Sequence, residues 1–237
     1  MNHDLFLMLL LAHLIGDFYC QTDKTCADKR RRKWRSPHLY FHSVVIGVLS
    51  FVAVWKIEFL PWMLMLIASH LLIDGIKSGR ENKLEHFLLD QALHLAVIVI
   101  IAMICTCQIG WMQTINLNIG AINLPVFITA LLLCLKPANL LVRCVLEKYH
   151  ILEEEPLQKE PMSVGALIGS LERSLFLLFV VMGQYGAVGF ILAAKSIIRY
   201  KEGSTRKTEY VLAGTLMSLG IAVATGVLVR LLSPLFL

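Results

Sequence analysis

Apolar runs about twenty residues long, such as 38–57, 84–106 and 208–233, recur along this chain and constrain its fold more than anything else in it. A helix of about 20 residues crosses a hydrocarbon layer roughly 30 Å thick. In lipid the backbone must satisfy its own hydrogen bonds, which leaves helices or closed barrels. Read in order, the runs predict helices over 4–22, 38–57, 61–77, 84–106, 121–142, 164–182, 185–200 and 208–233. The expectation is an all-α fold, a polytopic transmembrane bundle of about eight helices. Hydrophobic residues make up 57% of the 237, against about 45–50% for a soluble domain.

Basic residues then orient the spans. Seven of the 22 fall in 23–37, and most of the others fall near the same side: Lys77, Arg80 and Lys83, then Lys136, Arg143 and Lys148, then Lys195, Arg199, Lys201, Arg206 and Lys207. By the positive-inside rule that side is cytoplasmic and both termini are periplasmic, in a bacterial inner membrane. The formal charge of +5 therefore calls for a lipid bilayer as partner and not for nucleic acid. The N-terminal run lacks a basic leader and is interrupted by His13 and Asp17, so it reads as a retained first helix. The six cysteines show no CxxC spacing and read as free thiols. Stretch 107–120 reads as a short external hairpin or re-entrant loop, and the acidic, proline-containing 150–162 as a cytoplasmic linker. The expected organisation is a four-helix block over 1–107, a loop, fifth helix and linker over 108–162, and a three-helix block over 163–237.

The chemistry sits in the first block, where each helix carries ionisable residues four apart. These are His13 and Asp17 (with Gln21), His38 and His42, His70 and Asp74, and finally His86, Asp90 and His94. Residues at i and i+4 share a helix face. At a rise of about 1.5 Å per residue, Asp17, His42, His70 and Asp90 lie roughly 7–10 Å below the basic side, with His13 and His94 deeper. Asp74 and His38 lie nearer that surface. Such groups are expensive in a membrane unless they meet a partner, water or a metal. Imidazole and carboxylate together suit zinc, with iron or manganese as alternatives. Candidate ligands are His13, Asp17, His38, His42, His70, Asp74, Asp90 and His94, more than one zinc takes, which leaves room for one or two ions. Gln21 and Gln91 are candidate outer partners. The competing reading is a metal-free polar network that staples the helices together or relays protons.

The segments HLIGDFYCQTD (13–23), HLYFHS (38–43), SHLLIDGIK (69–77) and FLLDQALH (87–94) resemble a family of bacterial inner-membrane proteins catalogued as domain of unknown function 3307. The likeness continues through GALIGSLERS (165–174), GQYGAVGFILAAKSIIR (183–199) and EYVLAGTLMS (209–218). The short HS and SHLLID motifs are also similar, more distantly, to membrane proteins described as metal-dependent hydrolases.

In the last block Glu172 and Arg173 fall in mid-span and need partners or a cavity. The leading functional expectation is a metal-dependent hydrolase at the cytoplasmic leaflet, with Asp17, Asp74 and Glu172 as candidate catalytic groups. Lys24, Arg30, Lys77 and Arg80 would rim a lipid or other phosphate-bearing substrate, or else serve topology alone. The alternatives are a metal-ion or proton transporter using the same cluster, a membrane di-iron oxidoreductase and a non-catalytic scaffold.

Overall fold

The structure, a computed structural model, describes residues 3–78, 83–109, 118–119, 122–149, 164–199 and 205–233. Arg80, the linker 150–162 and the greater part of 107–120 lie outside the described residues. The chain divides into two compact units, Met1–Leu117 and Asn118–Leu235, so the fifth expected span groups with the C-terminal helices. Apart from one two-rung antiparallel pair, Asn118–Ile119 (β1) with Ile122–Asn123 (β2), the described elements are helical.

The first unit contains α1 (His3–Leu14), continued by a π-helical turn over Ile15–Tyr19, then α2 (Asp23–Arg32), α3 (Pro37–Val54), α4 (Leu60–Lys77) and α5 (Leu84–Ile109). Helices α1, α3, α4 and α5 form an up-and-down bundle in which α1 and α4 each pack against both α3 and α5. Proline opens α3 and α4 in their first turn, where the missing N–H costs nothing. One end of the bundle is closed by Leu5, Leu9, Val54, Phe59, Leu66, Ile98, Ile101, Ala102 and Cys105. Chain direction explains the rest. The apolar stretches follow His3 and Asp4 in α1, open α4, and close α3 and α5, so the His/Asp-bearing halves of all four helices meet at the opposite end.

The stretch 23–37 is not the loop that its charge implies. Thr22 caps α2, its hydroxyl accepting from the Thr25 N–H at 3.4 Å, while the Thr25 hydroxyl donates to the Thr22 carbonyl at 2.8 Å. Helix α2 leaves the axis of α1 at 85°. The following turn carries Trp34 onto Gly75 of α4, where a Cβ would collide with the indole ring. Only glycine lets the two segments approach that closely.

The second unit contains α6 (Leu124–Cys134), α7 (Lys136–Lys148), α8 (Val164–Val181), α9 (Tyr185–Arg199) and α10 (Thr205–Leu232). Helix α10 packs against α6, α7 and α8, and α9 against α8. The core joins Phe176 and Val180 of α8 to Val188 and Ala222. The span expected over 121–142 is two helices, because Pro137 has no N–H to give the Leu133 carbonyl and its ring crowds that group. Leu135 accordingly leaves the helical region, at φ −86° and ψ −106°. Helices α8 and α9 are separated by Gly183, whose φ of +74° and N–H to the Val180 carbonyl close α8 as glycine does at many helix ends.

Among the described residues, five helical segments are long and apolar enough to cross a membrane: Pro37–Val54, Ile57–Lys77, Leu84–Cys105, Leu124–Lys148 and Leu212–Leu232. A sixth is reached if the bent pair His3–Tyr19 and Asp23–Arg35 is one span. On length and composition the described residues thus account for five or six of the about eight expected spans; α8 is not among them and α9 is a shorter apolar helix.

Candidate metal centre

Four helices and the π-helical turn deliver the polar end of the first unit. His13 comes from α1 and Asp17 from the turn that follows it. In that turn the Cys20 N–H donates to the Ile15 carbonyl five residues back, at 3.0 Å. Single π turns of this kind recur at functional sites. His42 comes from α3, His70 and Asp74 from α4, and Asp90 and His94 from α5. His13, His42, His70, Asp74, Asp90 and His94 are all 5% exposed or less, and the Asp17 side chain is 9% exposed.

The tightest part of the cluster is a triangle. Oδ1 of Asp17 lies 3.1 Å from Nε2 of His42 and 3.3 Å from Nε2 of His70, and those two nitrogens are 2.9 Å apart. Ligand atoms about 2.0–2.1 Å from a tetrahedral zinc ion are separated from each other by about 3.3 Å, so the three atoms already stand at coordination spacing. Oδ2 of Asp74 lies just outside, 3.8 Å from the His42 nitrogen and 3.9 Å from that of His70. The imidazoles pack together, with ring centroids 4.8 Å apart for His42 and His70, 4.2 Å for His70 and His94, 5.0 Å for His94 and His13, and 5.8 Å for His13 and His70. In all, three groups have donor atoms close enough to share an ion: Asp17 with His42 and His70, His13 with Asp17 and His94, and His70 with Asp74 and His94.

Hydrogen bonding alone leaves this cluster unsatisfied. A ring nitrogen carries at most one proton, yet Nε2 of His42 faces the His70 nitrogen, the Asp17 carboxylate and the Gln21 amide together. Among the described residues, Nε2 of His13, both ring nitrogens of His94 and Oδ1 of Asp90 are buried with no hydrogen-bond partner. Buried polar atoms are rarely left so. A cation would satisfy converging lone pairs that protons cannot, and the donor set fits one.

Around the cluster lies a shell of amides and ammoniums. Gln91 donates to Oδ2 of Asp17 at 3.3 Å and to Asp90 at 3.1 Å. Lys29 of α2 holds Oδ2 of Asp74 at 2.6 Å, and Lys77 holds Oδ2 of Asp90 at 2.5 Å. The side chain of Gln21 is shared between His42 and the Cys26 thiol, which donates to it at 3.2 Å. Sequence reading found both glutamines and Lys77 and missed Lys29. The signal for Lys29 was present in the Thr22 cap, but a basic stretch beside a span reads first as topology.

Three candidates join none of these groups. Asp90 is buried beside His94 but is held by Lys77. His38 is exposed in the first turn of α3 and joins none of the three groups. At 100° per residue it lies about 40° further than His42 from the buried face set by Leu39, Ile46 and Ser50. Glu172 belongs to the second unit, where Lys195 holds its carboxylate at 2.6 Å. Its neighbour Arg173 is 1% exposed and fully engaged, donating to the Cys134 carbonyl, to Ser218 and to Asn139. Both mid-span charges thus have local partners.

Fold and site together define a class: an all-helical protein with apolar helices long enough to cross a membrane and a buried histidine–aspartate cluster able to hold a metal ion. Within it, residues 5–122 match the family described as "Protein of unknown function (DUF3307)", a stretch that contains the whole cluster. The motifs at 165–218 lie beyond that match. No curated protein and no solved structure matches the chain, and the more distant likeness to metal-dependent hydrolases gains no support from these comparisons.

Proposed function

We propose that this is an integral protein of the bacterial inner membrane that binds a divalent transition metal on Asp17, His42 and His70 and uses it for hydrolysis at the cytoplasmic leaflet. The observation that carries this reading is the triangle of donor atoms, with edges of 2.9, 3.1 and 3.3 Å. Two imidazoles and a carboxylate suit zinc best, with iron or manganese next. Three protein ligands leave a coordination position open, the pattern of catalytic rather than structural sites. An ion bound there would supply a water acidified toward neutral pH and a Lewis acid for the substrate.

The protein's own groups have separate tasks. Asp17 and the two imidazoles bind. Asp74, just beyond the triangle, is placed to take a proton from a molecule held at the open position, and Lys29 orients its carboxylate. Gln91 and Gln21 fix Asp17 and His42. Basic residues on α2 would draw anionic headgroups to the same end, which favours a lipid or other phosphate-bearing substrate. Both termini then face the periplasm.

The transporter reading fits less well. Among the described residues of the first unit, the end away from the cluster is closed by Leu5, Leu9, Phe59, Leu66, Ile98 and Ile101. An ion leaving that way would lose all coordination in an apolar plug.

Elemental analysis of the purified full chain tests the proposal. Zinc, iron or manganese should co-purify and be lost in His42→Ala and His70→Ala. Folded wild-type protein that takes up no transition metal after loading would overturn it.

A further inference from the structure

We infer that the cluster holds a second divalent ion, on His13 and His94, and that Asp17 bridges it to the first. The inference rests on the metal reading above and extends it. Its starting point is that the two oxygens of Asp17 face different histidines. Oδ1 serves His42 and His70 at 3.1 and 3.3 Å, whereas Oδ2 faces Nε2 of His13 at 3.7 Å. One donor atom each from His13, Asp17 and His94 lie within 4.8 Å of one another. A carboxylate with one oxygen directed at each of two donor groups is how a bridging ligand is placed.

The second observation is independent of the triangle. His13 is 5% exposed and His94 is 3% exposed, and among the described residues the Nε2 atom of the former and both ring nitrogens of the latter have no hydrogen-bond partner. These are buried side chains aimed into the cluster, with lone pairs that the protein leaves unused. A small cavity beside them is lined by His13, His70, His94, Ser50 and Ser69 and otherwise by aliphatic side chains, and Asp17 does not line it. Both serines already donate to backbone carbonyls, Ser50 to Ile46 at 2.8 Å and Ser69 to Leu66 at 3.0 Å. A water there finds few donors or acceptors besides the same imidazoles, whereas a cation held on His13, His94 and Asp17 would meet three ligands at once. Oδ1 of Asp90 lies 3.7 Å from Nδ1 of His94, beyond hydrogen-bond reach.

Charge then indicates the substrate class. Asp17, Asp74 and Asp90 against Lys29 and Lys77 leave one formal negative charge while the imidazoles are neutral. One divalent ion turns this into a single positive charge, and a second leaves a surplus of three. So large a surplus in low-dielectric surroundings requires a polyanion, and a phosphate group on an ester or anhydride is the substrate chemistry that supplies one. Paired ions about 3.5–4 Å apart are a recurrent device for clamping such a group during displacement at phosphorus.

The test uses the full chain in detergent, loaded with Mn(II) and freed of loose metal, with ions counted per chain and the bound manganese followed by electron paramagnetic resonance. Wild type should hold two ions with an exchange-coupled spectrum. His94→Ala and His13→Gln should each hold one, with an uncoupled six-line signal. The near-isosteric His13→Gln carries the test if His94→Ala does not fold. Inorganic phosphate should tighten manganese binding about tenfold in wild type and leave the one-ion variants unchanged. A single uncoupled ion in wild type, lost in His70→Ala, overturns the second ion and leaves the first standing. No ion in wild type overturns both, and two ions with no response to phosphate overturn the substrate class.

Discussion

The ammonium of Lys29 lies 2.6 Å from Oδ2 of Asp74, joining a helix outside the bundle to a carboxylate within it. The two side chains are 11% and 5% exposed, so neither charge is well solvated on its own. Removing one partner of a buried pair costs on the order of 3–5 kcal/mol, because the other is left buried and uncompensated. Lys29→Met should therefore lower the thermal midpoint sharply, and adding Asp74→Asn should restore much of it. Equal stability of wild type and Lys29→Met, in one detergent and with metal removed, would refute the pairing.

His38 and His42 offer an internal control, since they sit one turn apart on α3 and sequence gives them equal standing. His42→Ala should abolish retention of the ion, and His38→Ala should match wild type in metal content. Loss of metal in both variants would show that the site extends to the exposed turn.

Asp74 separates binding from turnover. Asp74→Asn should retain the ion and lose about 10–100-fold in activity, the usual effect of changing a group that supports the ligands. Hydrolysis of a phosphate ester with metal content measured on the same sample distinguishes the two. Unchanged turnover at full occupancy would remove Asp74 from the mechanism.

Much of the histidine–aspartate cluster is legible in the sequence because i and i+4 on a helix share a face, and because alternating chain direction brings the polar halves of four helices to one end. Helix ends at 77, 84 and 185 follow from the sequence for a similar reason, since charge and glycine punctuate apolar runs. What sequence reading misses depends on details that a hydropathy pattern averages out. Helix α2 hides in a run of charge, and its only signal is a threonine cap. The break at Leu135 hides in an apolar run, although Pro137 marks it. The π turn around Asp17 has no signal that spacing reveals. His38 stays outside the three groups because four-residue spacing drifts about 40° round the helix, enough to move a residue off the buried face near its end.

Glu172 tests how far mid-span charge is a guide to function. Its ion pair with Lys195 predicts that Glu172→Gln lowers stability and leaves metal content and hydrolysis as in wild type. A folded Glu172→Gln protein with full metal and no turnover would return Glu172 to the catalytic set.

Gly75 tests the seat of Trp34. A methyl group there meets the indole, and overpacking of this kind typically costs about 1–3 kcal/mol. Gly75→Ala should destabilise the chain and raise indole exposure to aqueous quenchers, and Gly75→Ala with Trp34→Leu should recover part of the loss. An unchanged emission maximum in Gly75→Ala would count against this contact.

The up-and-down ordering of the first unit has a consequence for how its sequence can change. Each ligand is tied through its own helix to the apolar plug at the far end, so the turns between plug and cluster act as a ruler. One residue inserted between Ile46 and His42, or between Leu66 and His70, would swing that imidazole by about 100° and shift it by about 1.5 Å. These intervals should therefore accept substitution far more readily than any change in length, while the connections outside them stay free to grow.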